Sequence, residues 1–292
     1  MRTKSRCGLH QGPPRAVQTL SCMPARRSSP KPPKVADAKG DLAALGFRVA
    51  ASGPHTSKTL MLQELEILLA AVPADAPAKT YRAAIVEENV LGKRTLSTRK
   101  ETATRLTALH GLDPGKPLFR VLRRLWAVDP TAHPQLALLN GLARDPLLLA
   151  TTAQVMGMPE GELLQRSEMV AAVHGFTHDR LSPKVLDAVA RNIASSWTQS
   201  GHLKGRVKKL RQPLNPQPVS LALAVWLGYA SGKRGKALLN TPWATALDSS
   251  SSGLLELAHQ AKRLGLLKLS HGAGVVSIDP TELDPLHGSQ QL

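Results

Sequence analysis

The amino-acid sequence predicts a mainly α fold, a multi-helix body with a C-terminal winged-helix-like segment that carries a short β-hairpin. Three observations predict it. Aromatic residues make up only 3% of the 292 residues while Ala and Leu dominate, so the core must be built from aliphatic side chains on helices. From residue 57 onward, apolar residues recur at helical spacing, with caps and breakers at the ends of the runs. Near the C-terminus an amphipathic helical run leads into two short β-forming runs separated by glycines.

Each element has a local reason. Residues 57–71 are amphipathic to fully apolar and stop at Val72-Pro73; residues 78–89 follow and turn at Leu91-Gly92. Thr98 and Glu101 fit a capping box that opens a third helix, which runs to His110 and stops at Gly111. Residues 117–128 place Leu118, Leu122, Leu125 and Trp126 on one buried stripe, with Arg120, Arg123 and Arg124 largely off it. Helices over 133–143 and 146–155 follow, the second opening with Asp145 as N-cap and Pro146 at its first position. Another covers 160–173. Ser182-Pro183 opens a helix with Leu186, Val189, Ile193 and Trp197 inward, ending near Gly201.

Residues 202–213 carry five basic residues and no acid, and are expected to form a boundary between a helical domain (57–201) and a C-terminal domain (202–292). Residues 218–230 are the most apolar stretch. At 13 residues the stretch is short of the roughly 20 needed to span a bilayer, so it reads as a buried helix. Residues 253–264 are helical with Leu254, Leu257, Ala258, Ala261 and Leu264 on one face, and Gly265 stops them. Strands over 266–270 and 275–278, joined through Gly272 and Gly274, complete the winged segment.

The formal net charge is +17, from 38 Lys+Arg against 21 Asp+Glu, which favours a polyanionic partner. Residues 1–40 hold nine basic residues against Asp37, a net +8, leaving +9 for the rest. The Pro-rich run Ser28–Lys34 has too few apolar residues to offset the entropy of ordering, so 1–56 reads as a basic disordered tail. No uninterrupted apolar region of the secretory kind follows the first basic residues. An organellar transit peptide, or a start further downstream at Met23 or Met61, stays open beside the tail reading. Both cysteines, Cys7 and Cys22, lie in this segment and cannot staple the folded body, so a reducing cytoplasm is the natural compartment. With His10 they lack a fourth metal ligand, and no metal or other cofactor is expected.

Three basic constellations are nucleic-acid candidates. The first is Lys93, Arg94, Thr95, Ser97, Thr98, Arg99, Lys100 and Arg105, where hydroxyls, free backbone amides and cations converge at a helix N-terminus, a combination suited to phosphate. Cations there oppose the positive end of the helix dipole, which argues against a merely structural role. The second is Lys204, Arg206, Lys208, Lys209 and Arg211, either tracking a duplex backbone or forming a hydrated linker. The third is the winged segment, with Lys262 and Arg263 on its helix and Lys268 and His271 on its hairpin. Enzyme signatures fail. Gly228 to Lys233 has three residues between its glycines where a phosphate loop needs four. His174 and His178 lack the following Glu of a zinc hydrolase, and Gly175 argues against one continuous helix through them. Glu87-Glu88 reads as a solvated pair, and no Ser/His/Asp order can be argued from one sequence.

The run Ile85-Val86-Glu87-Glu88-Asn89-Val90-Leu91-Gly92-Lys93-Arg94-Thr95-Leu96-Ser97-Thr98, followed by Arg105-Leu106-Thr107-Ala108-Leu109, resembles a signature of the BrxA family. Gly265-Leu266-Leu267 and Gly274-Val275-Val276-Ser277-Ile278 resemble that family's C-terminal end, so the resemblance spans roughly residues 57–280. BrxA proteins are small accessory components of bacteriophage exclusion (BREX) systems. The resemblance implies a mostly helical, NusB-like body that binds double-stranded DNA without known catalysis, with other BREX components as partners. The basic tail and the Pro/Gly-rich interval 111–117 depart from the pattern, and no individual contact residue carries over. The expectation is therefore a non-enzymatic, cytoplasmic DNA-binding protein of phage defence that contacts no membrane. Two other readings stay beside it: an RNA-binding antitermination-like factor, and a scaffold that docks a larger defence protein.

Overall fold

A computed structural model of the protein describes residues 41–48, 53–272 and 275–284, all within one compact unit, Val35–Leu292. Cys7, His10, Cys22 and the rest of residues 1–40 lie outside the described residues. The chain is mainly helical, with two small antiparallel hairpins among the described residues.

Residues 41–45 are helical, and beyond them the described part of the first half is built on α1 (Leu62–Ala71), α2 (Ala78–Val86), α3 (Leu96–His110), α4 (Pro117–Trp126) and α5 (His133–Arg144). α1 starts five residues later than its apolar pattern suggests, because Met61 takes a left-handed conformation (φ 53°) after a 3-10 turn, Pro54–Thr56. α3 is capped by Thr95 rather than Thr98. Thr95 is extended and accepts from the Thr98 amide at 3.1 Å, while Glu101, expected to close a capping box, pairs with Arg105 instead. α5 is buried from Gln135 to Ala143, and α10 (Pro218–Ala230) from Val219 to Gly228; the two pack together at the centre. A helix apolar on every side belongs inside, where each fully buried Leu stabilises by roughly 1.5–3 kcal/mol.

The expected tail folds into this core at two places. Phe47 packs between Trp226 and Trp243, with ring centroids 6.4 and 6.0 Å away, and His55 is fully buried. The expectation of disorder through residue 56 thus fails for 41–48 and 53–56, where Leu42, Leu45 and Phe47 anchor a stretch too short for its pattern to stand out beside the basic tail.

The second half corrects several more expectations. The run 146–155 is two short helices, α6 (Pro146–Ala150) and α7 (Thr152–Met156), and the predicted helix over 160–173 begins only at Arg166. Pro159 and Gly161 (φ +78°) block it, so residues 161–164 lie extended along a hairpin strand. α8 (Arg166–Thr177) then runs straight through Gly175, and α9 (Pro183–Gln199) follows across a short turn. The stretch 202–213 is no domain boundary. It forms the hairpin β1 (Leu203–Lys204) and β2 (Leu210–Arg211), with His202 and Arg211 buried, and one apolar core runs unbroken from Leu45 to Leu283.

α6/α7, the extended segment, α8, α9 and the β1–β2 hairpin follow one another in the order of a winged helix, with Leu163 bridging to Leu210 of β2. The same order recurs downstream. α10 is followed by a 3-10 segment (Gly235–Asn240) against the last strand, then α11 (Pro242–Thr245), α12 (Ser251–Arg263) and the hairpin β3 (Lys268–Gly272)–β4 (Val275–Asp279). Both units leave their long helix through the same local sequence. Gly201-His202-Leu203-Lys204 and Gly265-Leu266-Leu267-Lys268 each begin on a glycine at positive φ and bury the two residues before an exposed lysine. The helix followed by a hairpin that the sequence predicts near the C-terminus is present, and a similar order of elements precedes it.

Candidate nucleic-acid interface

Many of the arginines are occupied by the fold itself. Helices end with unpaired carbonyls that carry the negative end of the dipole, and guanidinium groups from distant segments satisfy them here. Arg123 donates to the carbonyls of Leu69 and Val72 (2.8 and 2.7 Å) at the end of α1; it is buried, contrary to its expected place off the stripe. Arg144 donates to Thr107, Ala108 and Leu109 at the end of α3, and burial lowers its pKa to about 10. Arg180 closes α8 through Phe176 and Thr177.

Two arginines expected to contact nucleic acid do the same work. Arg99 donates to Val86 at the end of α2 and to the Lys93 carbonyl. Arg211, 3% exposed, donates to the carbonyls of Val155 and His202 and pairs with Asp248 at 2.7 Å. Arg211 is a correction, since its buried guanidinium does not face solvent as a phosphate ligand must; Arg99 is half-buried, with its Nε and Nη1 spent on carbonyls.

The other expected residues divide. Lys93 pairs with Glu64 at 3.1 Å and Arg105 with Glu101. Thr95 and Thr98 bond each other, oxygen to oxygen, at 2.8 Å. Lys209 donates to Thr198 Oγ1 and the Gly205 carbonyl, and partial burial lowers its pKa. In the C-terminal winged unit, Lys262 donates to the Leu269 carbonyl, Arg263 faces Glu256 and Lys268 pairs with Glu282 at 2.8 Å. The expected basic wing there is charge-compensated. His271 sits on β3, and its side chain lies outside the described residues. Ser97 is exposed, as are Arg94, Lys100, Lys204, Arg206 and Lys208, five cations with no ion pair or hydrogen bond among the described residues.

Three of those five, Lys204, Arg206 and Lys208, stand together on the β1–β2 hairpin. The hairpin follows directly on a helix-turn-helix, α8–α9. α9 buries Leu186, Val189, Ile193 and Trp197, leaving Lys184, Ala188, Arg191 and Ser195 along its outer face at spacings of four, three and four residues. Arg191 Nε lies 3.5 Å from Asp187, which also binds Arg166; that pairing holds the Asp187 carboxyl below its usual range. On one side α9 and the hairpin enclose a groove of about 410 Å3 that includes Arg191, Ser195, Arg206 and Lys209. On the other, Asn192 of α9 shares a cavity of about 390 Å3 with Lys58, Lys93, Thr98 and Thr102. The fold thus brings the first and second basic constellations to the two flanks of one helix, and the third to none. Sequence reasoning missed Lys184 and Arg191. Lys184, a cation in the first turn of a helix opened by Ser182-Pro183, carried the same dipole-opposing signal as Arg99 and Lys100.

One constellation has the residue types of a hydrolase. His55 Nδ1 lies 2.7 Å from Asp145 and its Nε2 2.7 Å from Ser196 Oγ, the contacts of a Ser-His-Asp triad. All three residues are fully buried, and Asp145 also accepts from the His55 and Leu147 amides as the N-cap of α6. Burial alone would raise the Asp145 carboxyl, but the bonds from His55 hold it below its usual range. The network ties the segment before α1 to α6 and α9. His174 lies 3.6 Å from Asp179, Glu87 and Glu88 are exposed, and no group of three or more His, Cys, Asp or Glu able to hold a metal occurs among the described residues. No helix is long and apolar enough to cross a membrane among these residues. No family model matches the chain, and no curated protein matches it significantly.

Proposed function

We propose that the protein binds double-stranded DNA without acting on it chemically, laying α9 in the major groove with the β1–β2 hairpin beside it. The observation that carries this is the placement of the unpaired cations. A helix-turn-helix runs into a hairpin whose exposed Lys204, Arg206 and Lys208 have no acidic partner, whereas Lys209 and Arg211 of the same hairpin are held by the fold. The outer face of α9 is small at Ala188 and Ser195, which lets the helix approach a groove floor, and it offers Lys184 and Arg191 as long donors. Arg94 and Lys100, exposed within two residues of the cavity-lining Lys93 and Thr98, would add phosphate contacts on the opposite flank, with Thr95, Ser97 and Thr98 as hydroxyl donors. A role as an accessory of a BREX-type phage-defence system rests on the resemblance to BrxA, with other BREX components as partners and the cytoplasm as its place.

The charge-compensated second winged unit supports a further, protein-docking role for the C-terminal end. Titration of the full chain with a duplex over a range of salt tests the DNA reading. The log affinity should fall with log salt at a slope of about −0.9 per phosphate neutralised, and Lys208→Ala should reduce the slope by about one. A flat salt dependence would overturn it, and stronger binding to structured RNA at the same salt would favour the antitermination-like alternative.

A further inference from the structure

The tip of the β1–β2 hairpin carries more than charge. Val207 is 89% exposed, the most exposed large apolar side chain among those described, and it sits between Arg206 and Lys208. Single exposed apolar residues are ordinary, but this one stands on a built support. Gly205 lies at φ +119°, and a Cβ there would stand 2.0 Å from the Lys208 carbonyl oxygen, so the turn closes more tightly than any side chain permits. Lys209 braces it from below through Gly205 O and Thr198 Oγ1. Buried Arg211 fixes its root, and the second strand is paired outward to residues 161–164.

The shape of the tip suits a minor groove. Val207 lies in the turn beyond the last paired residues, Lys204 and Leu210, so its side chain and those beside it, rather than the two-stranded ribbon, would enter a groove about 7.5 Å deep and 6 Å wide. A guanidinium is drawn to the negative potential of a narrow groove, and an apolar side chain inserts where no polar partner is required. The guanine amino group projects into that groove and would obstruct an apolar tip. Resting on the duplex-binding reading above, we infer that Arg206-Val207-Lys208 enters the minor groove next to the site of α9 and makes the protein favour A·T-rich sequence through the absence of that amino group.

The test uses the full chain and three duplexes of equal length: one A·T-rich at its centre, one G·C-rich, and one with inosine replacing each guanine of the G·C-rich centre. Inosine·cytosine presents the major-groove edge of G·C but lacks the minor-groove amino group. The wild-type protein should bind the A·T and inosine duplexes about tenfold more tightly than the G·C duplex, the scale of one base-edge discrimination. Val207→Ser, exposed and distant from the core, should bring that ratio near one. Arg206→Ala should lower both the ratio and the salt slope. Equal binding to all three duplexes, or a ratio that survives Val207→Ser, would overturn the inference while leaving duplex binding in place. Absence of binding to every duplex would overturn the duplex reading, and this inference with it.

Discussion

Acidification should weaken the fold well before its carboxylates protonate, because two histidines are held neutral inside it. His110 lies 2.9 Å by Nε2 from the Leu60 carbonyl and packs against Asn140; His202 lies 2.8 Å by Nε2 from the Ala246 carbonyl and 2.9 Å by Nδ1 from Ser200. Burial pushes each pKa from 6.5 to about 4, which the bonds to the carbonyls oppose and the charges of Arg144 and Arg211 reinforce. Both folded-state values lie below the unfolded one, so between pH 6.5 and 4 the unfolded chain binds more protons and stability falls as pH falls. At pH 5 the unfolded chain gains on the order of 1.5 pKa units per histidine, about 2 kcal/mol each and about 4 kcal/mol together. For a domain of this size that is a drop in Tm of roughly 8–16 °C between pH 7.5 and pH 5. Thermal unfolding followed by circular dichroism measures it. His202→Asn should lower Tm at pH 7.5 but about halve its dependence on pH. A Tm that is flat from pH 7.5 to 5, or an undiminished slope in His202→Asn, would refute the assignment of neutral buried imidazoles.

Three further outcomes follow from buried polar contacts. Arg123→Met should cost about 3 kcal/mol in urea unfolding, since the carbonyls of Leu69 and Val72 lose their only side-chain donor in the core, and a loss below about 0.5 kcal/mol would contradict the capping role. In the His55 network, His55→Ala should destabilise more than Ser196→Ala, by about 2 kcal/mol, because it strands the Asp145 charge in the interior. A fluorophosphonate serine probe should leave the native protein unlabelled, as Ser196 is wholly buried; labelling at Ser196 would instead mark a working nucleophile.

The helices were largely legible because their signals are local. Pro146 after Asp145, Pro183 after Ser182, and Gly111 and Gly265 at helix ends act over a few residues, and the structure places element ends within a few residues of them. The misreadings came where a local pattern met a distant partner. Residues 160–164 read as helix but pair with β2, and residues 202–213 read as linker because two-residue strands carry almost no periodicity. Glu101 suited a capping box with Thr98, yet the turn through Asn89 and Gly92, both at positive φ, brings Thr95 to the cap. The His55–Asp145–Ser196 network spans 141 residues, and no spacing rule could have assembled it.

By itself the sequence determined that the protein is mainly helical and strongly basic, where most helices stop, and that a helix followed by a β-hairpin lies near the C-terminal end. Only the tertiary structure decided which cations are free. A guanidinium is satisfied by whatever carbonyls or carboxylates the fold brings within about 3 Å, and for Arg99, Arg144 and Arg211 those are helix ends set by packing rather than by neighbours in the chain. That competition leaves Lys204, Arg206 and Lys208 unpaired beside α9, so the second of the three basic constellations read from the sequence, rather than the first, becomes the centre of the candidate interface.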